Sequence, residues 1–242
     1  MCGRYTLFAS PGRVESRFDA AFGEPFEPTY NAAPGQSLPV ITNDAPETIQ
    51  RFEWGLVPSW AEDRSNFEFI NARAGTVREK RSFADAYESR RCLVPADGFY
   101  EWVEREGGKQ PYRVAVGDDD LFAMAGLWER WTPPVAQTGL GDFGGGSEQS
   151  GDPDPDPDPE PVETFTVVTT EPNDLVGDLH HRMAVVLDPG EEETWLGGDT
   201  DAVADLLDPY PADRMYAHPV STAVNNPAND SPALVEEVEI GG

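Results

Sequence analysis

The sequence predicts a β-rich α+β fold: one domain built on a mostly antiparallel, barrel-like sheet with short flanking helices. Two observations lead there. Short apolar or alternating runs rich in Val, Ile, Thr, Phe and Trp recur along the chain, separated by Gly, Pro, Asn and Asp. Helical spacing with recognisable ends occurs in only a few places, so the strand–helix alternation of a doubly wound sheet is missing. At 242 residues a single core can be closed comfortably.

Taken in order, residues 2–8 alternate as a strand with Cys2 at its start. Ser10 and Pro11 read as the cap and first residue of a helix. Val14, Phe18, Ala21 and Phe22 form its apolar stripe, and Gly23 marks its end. Strands are expected at Leu38–Thr42 and Thr48–Trp54. Ser82 is expected to cap a second helix that turns Phe83, Ala86 and Tyr87 inward. Further strands are expected at Cys92–Pro95, Phe99–Val103, Tyr112–Val116, Leu121–Trp128, Phe165–Thr169 and Met183–Leu187, with an amphipathic helix over Thr200–Leu207.

Residues 132–162 differ in kind. They hold GGGSEQSG and then DPDPDPDPEP, in which alternating prolines exclude helix and central strand while the carboxylates repel one another. An extended acidic loop is expected, partly polyproline II, inserted into a single domain that spans residues 2–242.

The charge is extreme, a net of −28, and only Lys80 and Lys109 among the 17 basic residues are lysines. Spread along the whole chain, such acidity is what a multimolar-salt cytoplasm favours, and points to a haloarchaeal protein. It argues against DNA as a partner in dilute salt, but at about 1 M salt the Debye length is only about 3 Å. The acid is also uneven. Residues 64–113 carry ten basic and eight acidic residues, net +2, leaving the remainder with seven basic and 37 acidic, net −30. The chain opens MCGRYTLF, without a signal-like apolar region, and no run approaches the roughly 18 apolar residues of a membrane span. An intracellular protein is expected, without membrane, metal or cofactor. Its two cysteines and three histidines show no ligand spacing.

Cys2 carries the most chemistry. Once Met1 is removed it bears an α-amine with pKa near 8 beside a thiol with pKa near 8.5. An amine condenses with an aldehyde to an imine, and the neighbouring thiol can close on it to a five-membered thiazolidine with the advantage of an intramolecular reaction. Position alone still favours the plainer alternative, that Cys2 is an early residue of a buried strand.

Eight blocks shift the balance. MCGRYTLF, YNAAPGQ (residues 30–36), WGLVPSW (54–60), NAR (71–73), RCLVPADGFYEW (91–102), AGLWE (125–129), HHRM (180–183) and VNNPANDSP (224–232) occur in this order. Together they closely resemble the SOS-response-associated peptidase family, whose members form DNA–protein crosslinks at abasic sites. The resemblance runs from residue 2 to about residue 236, the acidic insertion aside. It departs in that insertion and in Ala184, where members often carry proline; neither touches a proposed catalytic atom.

The resemblance implies a processed N-terminal cysteine as nucleophile, here Cys2, a pocket asparagine, here Asn71, and a glutamate and histidine matching Glu101 and His180. Physical roles follow. Imine formation needs a proton delivered to the leaving hydroxyl and one taken from the amine. Glu101, with its pKa raised in a partly dry pocket, can serve both steps, and His180 can protonate the sugar ring oxygen as it opens. The plainer readings are a strand carboxylate paired to an arginine and a satisfied structural histidine. For phosphate, Arg73 is the best candidate and Arg4 another, because the guanidinium fork binds it bidentately. Arg78 and Arg81 are candidates too, though with Lys80 they read equally as a solvated helix face. Trp60 and Phe67 suit stacking beside a missing base, Trp54 being the likelier core member. Asn31, Asn225 and Asn226 are expected to line or brace the site.

The expected partner is single-stranded DNA containing abasic sites, bound by a monomer in the cytoplasm and at the nucleoid, with self-removal of Met1 and weak lyase activity as accessories. Three rivals use the same residues differently. An N-terminal-nucleophile amidohydrolase also opens Met-Cys-Gly, but the Cys-Gly-Arg-Tyr continuation is unlike that class. A thiol peptidase would pair Cys2 with His180. A DNA-binding module would shield the lesion without bonding to it.

Overall fold

In a computed structural model, residues 2–66, 68–106, 108–117, 121–134 and 159–240 are described. The chain begins with β1 (Tyr5–Leu7), α1 (Pro11–Phe18), β2 (Ala21–Phe22), β3 (Thr29–Ala32), β4 (Ser37–Thr42), β5 (Thr48–Trp54), β6 (Asn71–Arg73) and α2 (Ala84–Ser89). There follow β7 (Arg91–Ala96), β8 (Gly98–Arg105), β9 (Gly108–Val116), β10 (Phe122–Trp131) and β11 (Val162–Thr170). The last elements are α3 (Asp174–Gly177), β12 (Met183–Ala184), β13 (Val186–Leu187), α4 (Glu192–Gly197) and β14 (Met215–Pro219).

The strands form two sheets. One is wholly antiparallel, in the order β14-β9-β8-β1-β3. The other closes on itself: β11, β10, β7, β4 and β5 are neighbours in turn, and β5 returns to β11 through a parallel pairing of Glu53 with Thr164 and Trp54 with Phe165. A five-stranded barrel results, and closure removes the open edges of its staves. The β-rich α+β expectation, barrel-like and mostly antiparallel, is met. The interior of the molecule is a continuous apolar cluster that includes Tyr5, Val40, Phe52, Trp54, Val94, Leu127, Phe165 and Trp195, with Cys2 and Cys92 among its members. Trp54 is thus core, and no helix of the described residues is long and apolar enough to cross a membrane.

Several local expectations need correction. The helix after Ser10 stops at Phe18, not at Gly23: Asp19 adopts the left-handed conformation (φ 50°), which Asp tolerates better than most residues. The Glu15 carboxylate then accepts the Phe22 amide at 3.0 Å, and Ala21–Phe22 joins β5 as a strand. The second helix begins at Ala84 with Phe83, not Ser82, at its cap position, although Phe83, Ala86 and Tyr87 do face inward. Thr200–Leu207 forms turns and a 3-10 segment at Ala204–Leu206 instead of an α-helix, whereas Glu192–Gly197, which was not expected to be helical, is α4.

The first strand, which sets where Cys2 lies, is held at its far end by a buried carboxylate. Asp97 accepts the Thr6 hydroxyl at 2.5 Å and the amides of Phe8 at 2.6 Å and Ala9 at 3.0 Å. Arg113 lies beneath and donates to the Asp97 carbonyl at 2.6 Å. It comes so close to Gly98 that a Cβ there would sit 2.7 Å from the guanidinium Nε, which is why glycine follows Asp97. The acidic segment departs from Trp131 and returns at Val162, and these two residues are paired across the β10–β11 ladder. Residues 135–158 lie outside the described residues.

Candidate active site and nucleic-acid interface

The site forms where the N-terminal strand runs out beside β8. Tyr5 is paired with Phe99 and Thr6 with Gly98, and the Tyr100 amide donates to the Arg4 carbonyl at 3.0 Å. Continued by two residues, that antiparallel register brings Cys2 alongside Glu101 and Trp102. From the barrel side, β6 approaches through its parallel pairing with β11, and Asn71 Nδ2 donates to the Cys2 carbonyl at 3.0 Å. Asn71 Oδ1 is buried with no hydrogen-bond partner among the described residues. His180 comes from the turn after α3, with its Nδ1 4.0 Å from Glu101 Oε2. Four residues widely separated in sequence, Cys2, Asn71, Glu101 and His180, therefore meet.

Their electrostatics follow from burial. Glu101 is 1 % exposed, and desolvation pushes its carboxyl up to about 7. Cys2 is fully buried in the chain that still carries Met1, and its thiol is raised well above the usual range by burial and then by the Glu101 charge. Burial lowers the His180 imidazole. Its Nδ1 lies 3.1 Å from both the amide and the carbonyl of Arg182. A cleft of about 440 Å³ opens on Glu101 and His180 and is lined also by Trp102, Lys109 and Asn225; Cys2 and Asn71 lie behind it.

Among the residues expected to bind DNA, Arg73 is exposed at the end of β6 and has no ion pair among the described residues. Its register partner is Thr169, whose carbonyl accepts Arg182 Nη2 at 2.5 Å, so a second arginine lies beside it. Arg4 and Asn31 turn inward. Arg4 Nη1 donates to Asn31 Oδ1 at 3.0 Å and to the Val224 carbonyl at 2.8 Å. Asn31 Nδ2 donates to the carbonyls of Val224, Asn226 and Asn229, tying β3 to the C-terminal asparagine-rich loop. Arg78 pairs with Asp201 at 3.1 Å, and Arg81 stacks on Trp60, its guanidinium carbon 4.1 Å from a ring centroid. Phe67 lies outside the described residues. Trp102, Lys109 and Arg182 escaped the sequence reading as site residues. Trp102 and Arg182 stand inside quoted blocks, and their neighbours Glu101 and His180 were the available signal.

Residues 1–227 match the family described as SOS response associated peptidase (SRAP). The chain belongs to this family. It is 39% identical over 245 residues to the abasic site processing protein YoqW of Bacillus subtilis, covering 98% of this chain and 99% of that protein. It is 31% identical to the abasic site processing protein HMCES of Gallus gallus, covering 89% of this chain and 68% of that protein. Among solved structures, a Bacteroides thetaiotaomicron protein superposes with a TM-score of 0.82 at 26% identity, covering 98% of this chain and all of that one. For this SRAP protein, as for any protein, kinship and fold do not assign roles to individual atoms; the site's chemistry has to do that.

Proposed function

We propose that this SRAP protein captures abasic sites in single-stranded DNA by forming a thiazolidine with Cys2 after Met1 has been removed. The observation that carries the reading is the meeting of Cys2, Asn71, Glu101 and His180 at the head of β1. Its relatives' names as abasic site processing proteins give the substrate class.

Hydrolysis of the Met1–Cys2 peptide bond, which the protein performs on itself, releases methionine and leaves the α-amine. Arg73 seats a phosphate of the damaged strand, while Arg182 beside it is taken up by Glu171 and the Thr169 carbonyl. His180 relays a proton to the ring oxygen and takes up the one released by the anomeric hydroxyl, so the sugar opens to its aldehyde and the imidazole ends neutral. The amine adds to the aldehyde carbon to give a carbinolamine. Glu101 in its acid form protonates the hydroxyl, which leaves as water, and the iminium results. The thiol then adds to the same carbon and its proton passes to the Glu101 carboxylate. One water is lost and no electrons are transferred to an outside acceptor. A group that must be acid in one step and base in the next works best with a pKa near the working pH, and burial gives Glu101 that property. Asn71 holds the Cys2 carbonyl through its amide N–H, and its buried Oδ1 is an acceptor for a substrate hydroxyl.

A general cysteine peptidase is less well supported. It needs a thiolate beside an imidazolium, whereas burial and Glu101 hold this thiol protonated and His180 is held neutral. Arg4 and Asn31 act in this reading as braces of the nucleophile's strand, and Trp60 with Arg81 as a stacking surface beyond the cleft. The protein works on chromosomal DNA in the cytoplasm.

Intact mass after incubation with an abasic oligonucleotide tests the whole sequence. The expected species lacks methionine and gains the oligonucleotide less one water, stable to heat without borohydride. Cys2→Ala should give no stable adduct, and Cys2→Ser only a weak oxazolidine or transient imine with some strand cleavage. Crosslinking by Cys2→Ala at the wild-type rate would end the proposal.

A further inference from the structure

The barrel carries a second recess, of about 460 Å³, that shares no lining residue with the cleft at Glu101. Its floor is apolar. Ile41 of β4 and Leu93 of β7 are register partners there, and Phe18 at the end of α1 and Leu196 of α4 line the sides. Elsewhere this chain keeps such surface covered: among the described residues, Ile240 is the only large apolar side chain that is exposed.

The walls are fixed before anything binds. Arg17 of α1 clamps α4 by donating to Glu192 Oε2 at 3.0 Å and Oε1 at 2.7 Å, and it also reaches the Leu121 carbonyl at 3.2 Å. Another wall, the turn between β4 and β5, is pinned by Asn43. Its Oδ1 accepts the Arg91 amide at 3.1 Å and the Trp128 indole N–H at 3.0 Å, and its Nδ2 donates to the Ser89 carbonyl at 3.0 Å. A groove held in this way needs little ordering on binding.

The rim has one sign of charge. Asp19, Glu47 and Glu193 line the groove, are exposed and have no ion pair among the described residues. No lysine or arginine lines it, and Arg17 is already taken by Glu192. Carboxylates scattered over a surface keep it hydrated. Gathered around an apolar floor, they also select a positive charge in whatever covers that floor. At about 1 M salt distant attraction is screened within about 3 Å, so selection falls to contact pairs made beside buried apolar surface. A nucleic-acid strand, itself anionic, is repelled here.

We propose that this groove docks a peptide segment of a partner protein, one that seats a leucine- or phenylalanine-sized side chain on Ile41 and Leu93. An arginine or lysine on either side of that anchor meets Asp19, Glu47 and Glu193. An anchor side chain in a preformed pocket with a polar rim is how such interfaces concentrate their affinity. The site is independent of the Cys2 chemistry.

Selection from a library of random linear peptides displayed on phage, on the full chain in about 1 M KCl, tests this. The enriched peptides should share a large apolar residue flanked by arginine or lysine. Binding of such a peptide, followed by fluorescence anisotropy, should weaken at least about tenfold when Glu47→Arg and Glu193→Arg are combined. Replacing the peptide's basic residues by glutamate should restore part of that loss. The double variant should still crosslink abasic DNA at the wild-type rate. In wild type itself, amide chemical-shift changes on adding the peptide should fall on the end of α1, on α4 and on residues 43–47. Enriched peptides without a basic residue, equal enrichment on the double variant, shifts gathered elsewhere or a selection that enriches nothing would each overturn the proposal. So would octylammonium chloride binding the groove as tightly as the best peptide, which would make it a small-molecule site.

Discussion

Glu101 concentrates the chemistry of the site in one ionisation. Its folded-state carboxyl is pushed up to about 7 by burial, above the ordinary value of about 4.3 in an unfolded chain. Between those values the native protein holds a proton that the unfolded chain has lost, so stability falls as pH rises through this window. Below it, the group costs nothing. Glu101→Gln should therefore match wild type near pH 4 and exceed it above pH 8, by up to about 3 kcal/mol. The same variant should crosslink at least about a hundredfold more slowly. Chemical denaturation at the two pH values checks the first expectation and single-turnover kinetics the second. A variant less stable at pH 8 would mean that the carboxylate is held charged by its surroundings. The four proposed reacting residues were legible as residue types within their blocks, but not as a geometry. Asn71, for example, is placed by a hydrogen bond to the backbone of residue 2, which no spacing encodes. The surroundings of Arg4 are hidden in the same way: sequence displays a cation, and only folding shows that its Nη1 reaches Asn31 Oδ1 and the Val224 carbonyl.

Elements bring these residues together, and their joints are polar. Glu129 on β10 is 5% exposed, accepts both the amide (3.1 Å) and hydroxyl (3.0 Å) of Ser59, and pairs with Arg90 at 2.6 Å. It fastens the WGLVPSW turn to the barrel and links it to the residue after α2. Glu129→Ala leaves a partly buried guanidinium and a turn amide without partners, and should cost about 3 kcal/mol in a denaturant titration. Loss of less than about 1 kcal/mol would make the joint dispensable. Strand-forming runs were readable because a buried stave carries an apolar pattern of its own. Thr48–Trp54 has both bounds as expected, with Ile49, Phe52 and Trp54 buried. What failed depended on distant contacts. Ala21–Phe22 fits a helical stripe in sequence, but a ladder with Thr48–Ile49 is available to it, and Asp19 makes the break. Thr200–Leu207 has helical spacing but, of its apolar side chains, only Val203 is buried, too little to hold a short helix together. The closure of the barrel, a parallel pairing across more than a hundred residues, has no local signature at all.

For the molecule as a whole the question is how a chain of net charge −28 stays folded and still meets DNA. Self-repulsion among carboxylates opposes the compact state, and its range is set by salt: about 10 Å at 0.1 M and about 3 Å at 1 M. We propose that the acidic surface is an adaptation to concentrated salt. The melting temperature should then climb as KCl is raised from about 0.1 M to about 1 M, the interval over which the screening length collapses. The acidic insertion offers an internal control. Residues 135–158 hold six carboxylates and no base, and the strands on either side are already paired through Trp131 and Val162. Joining those strands by a short polar turn should keep the fold and the crosslinking rate within about twofold, since loop length itself weighs little in stability. The shortened chain, with net charge −22, should gain less from added salt than the full one, because fewer like charges remain to be screened. Calorimetry of both chains across the salt series decides the matter. Equal gains would place the effect on the body of the domain alone, and a melting temperature indifferent to KCl would remove salt adaptation as the reason for the charge.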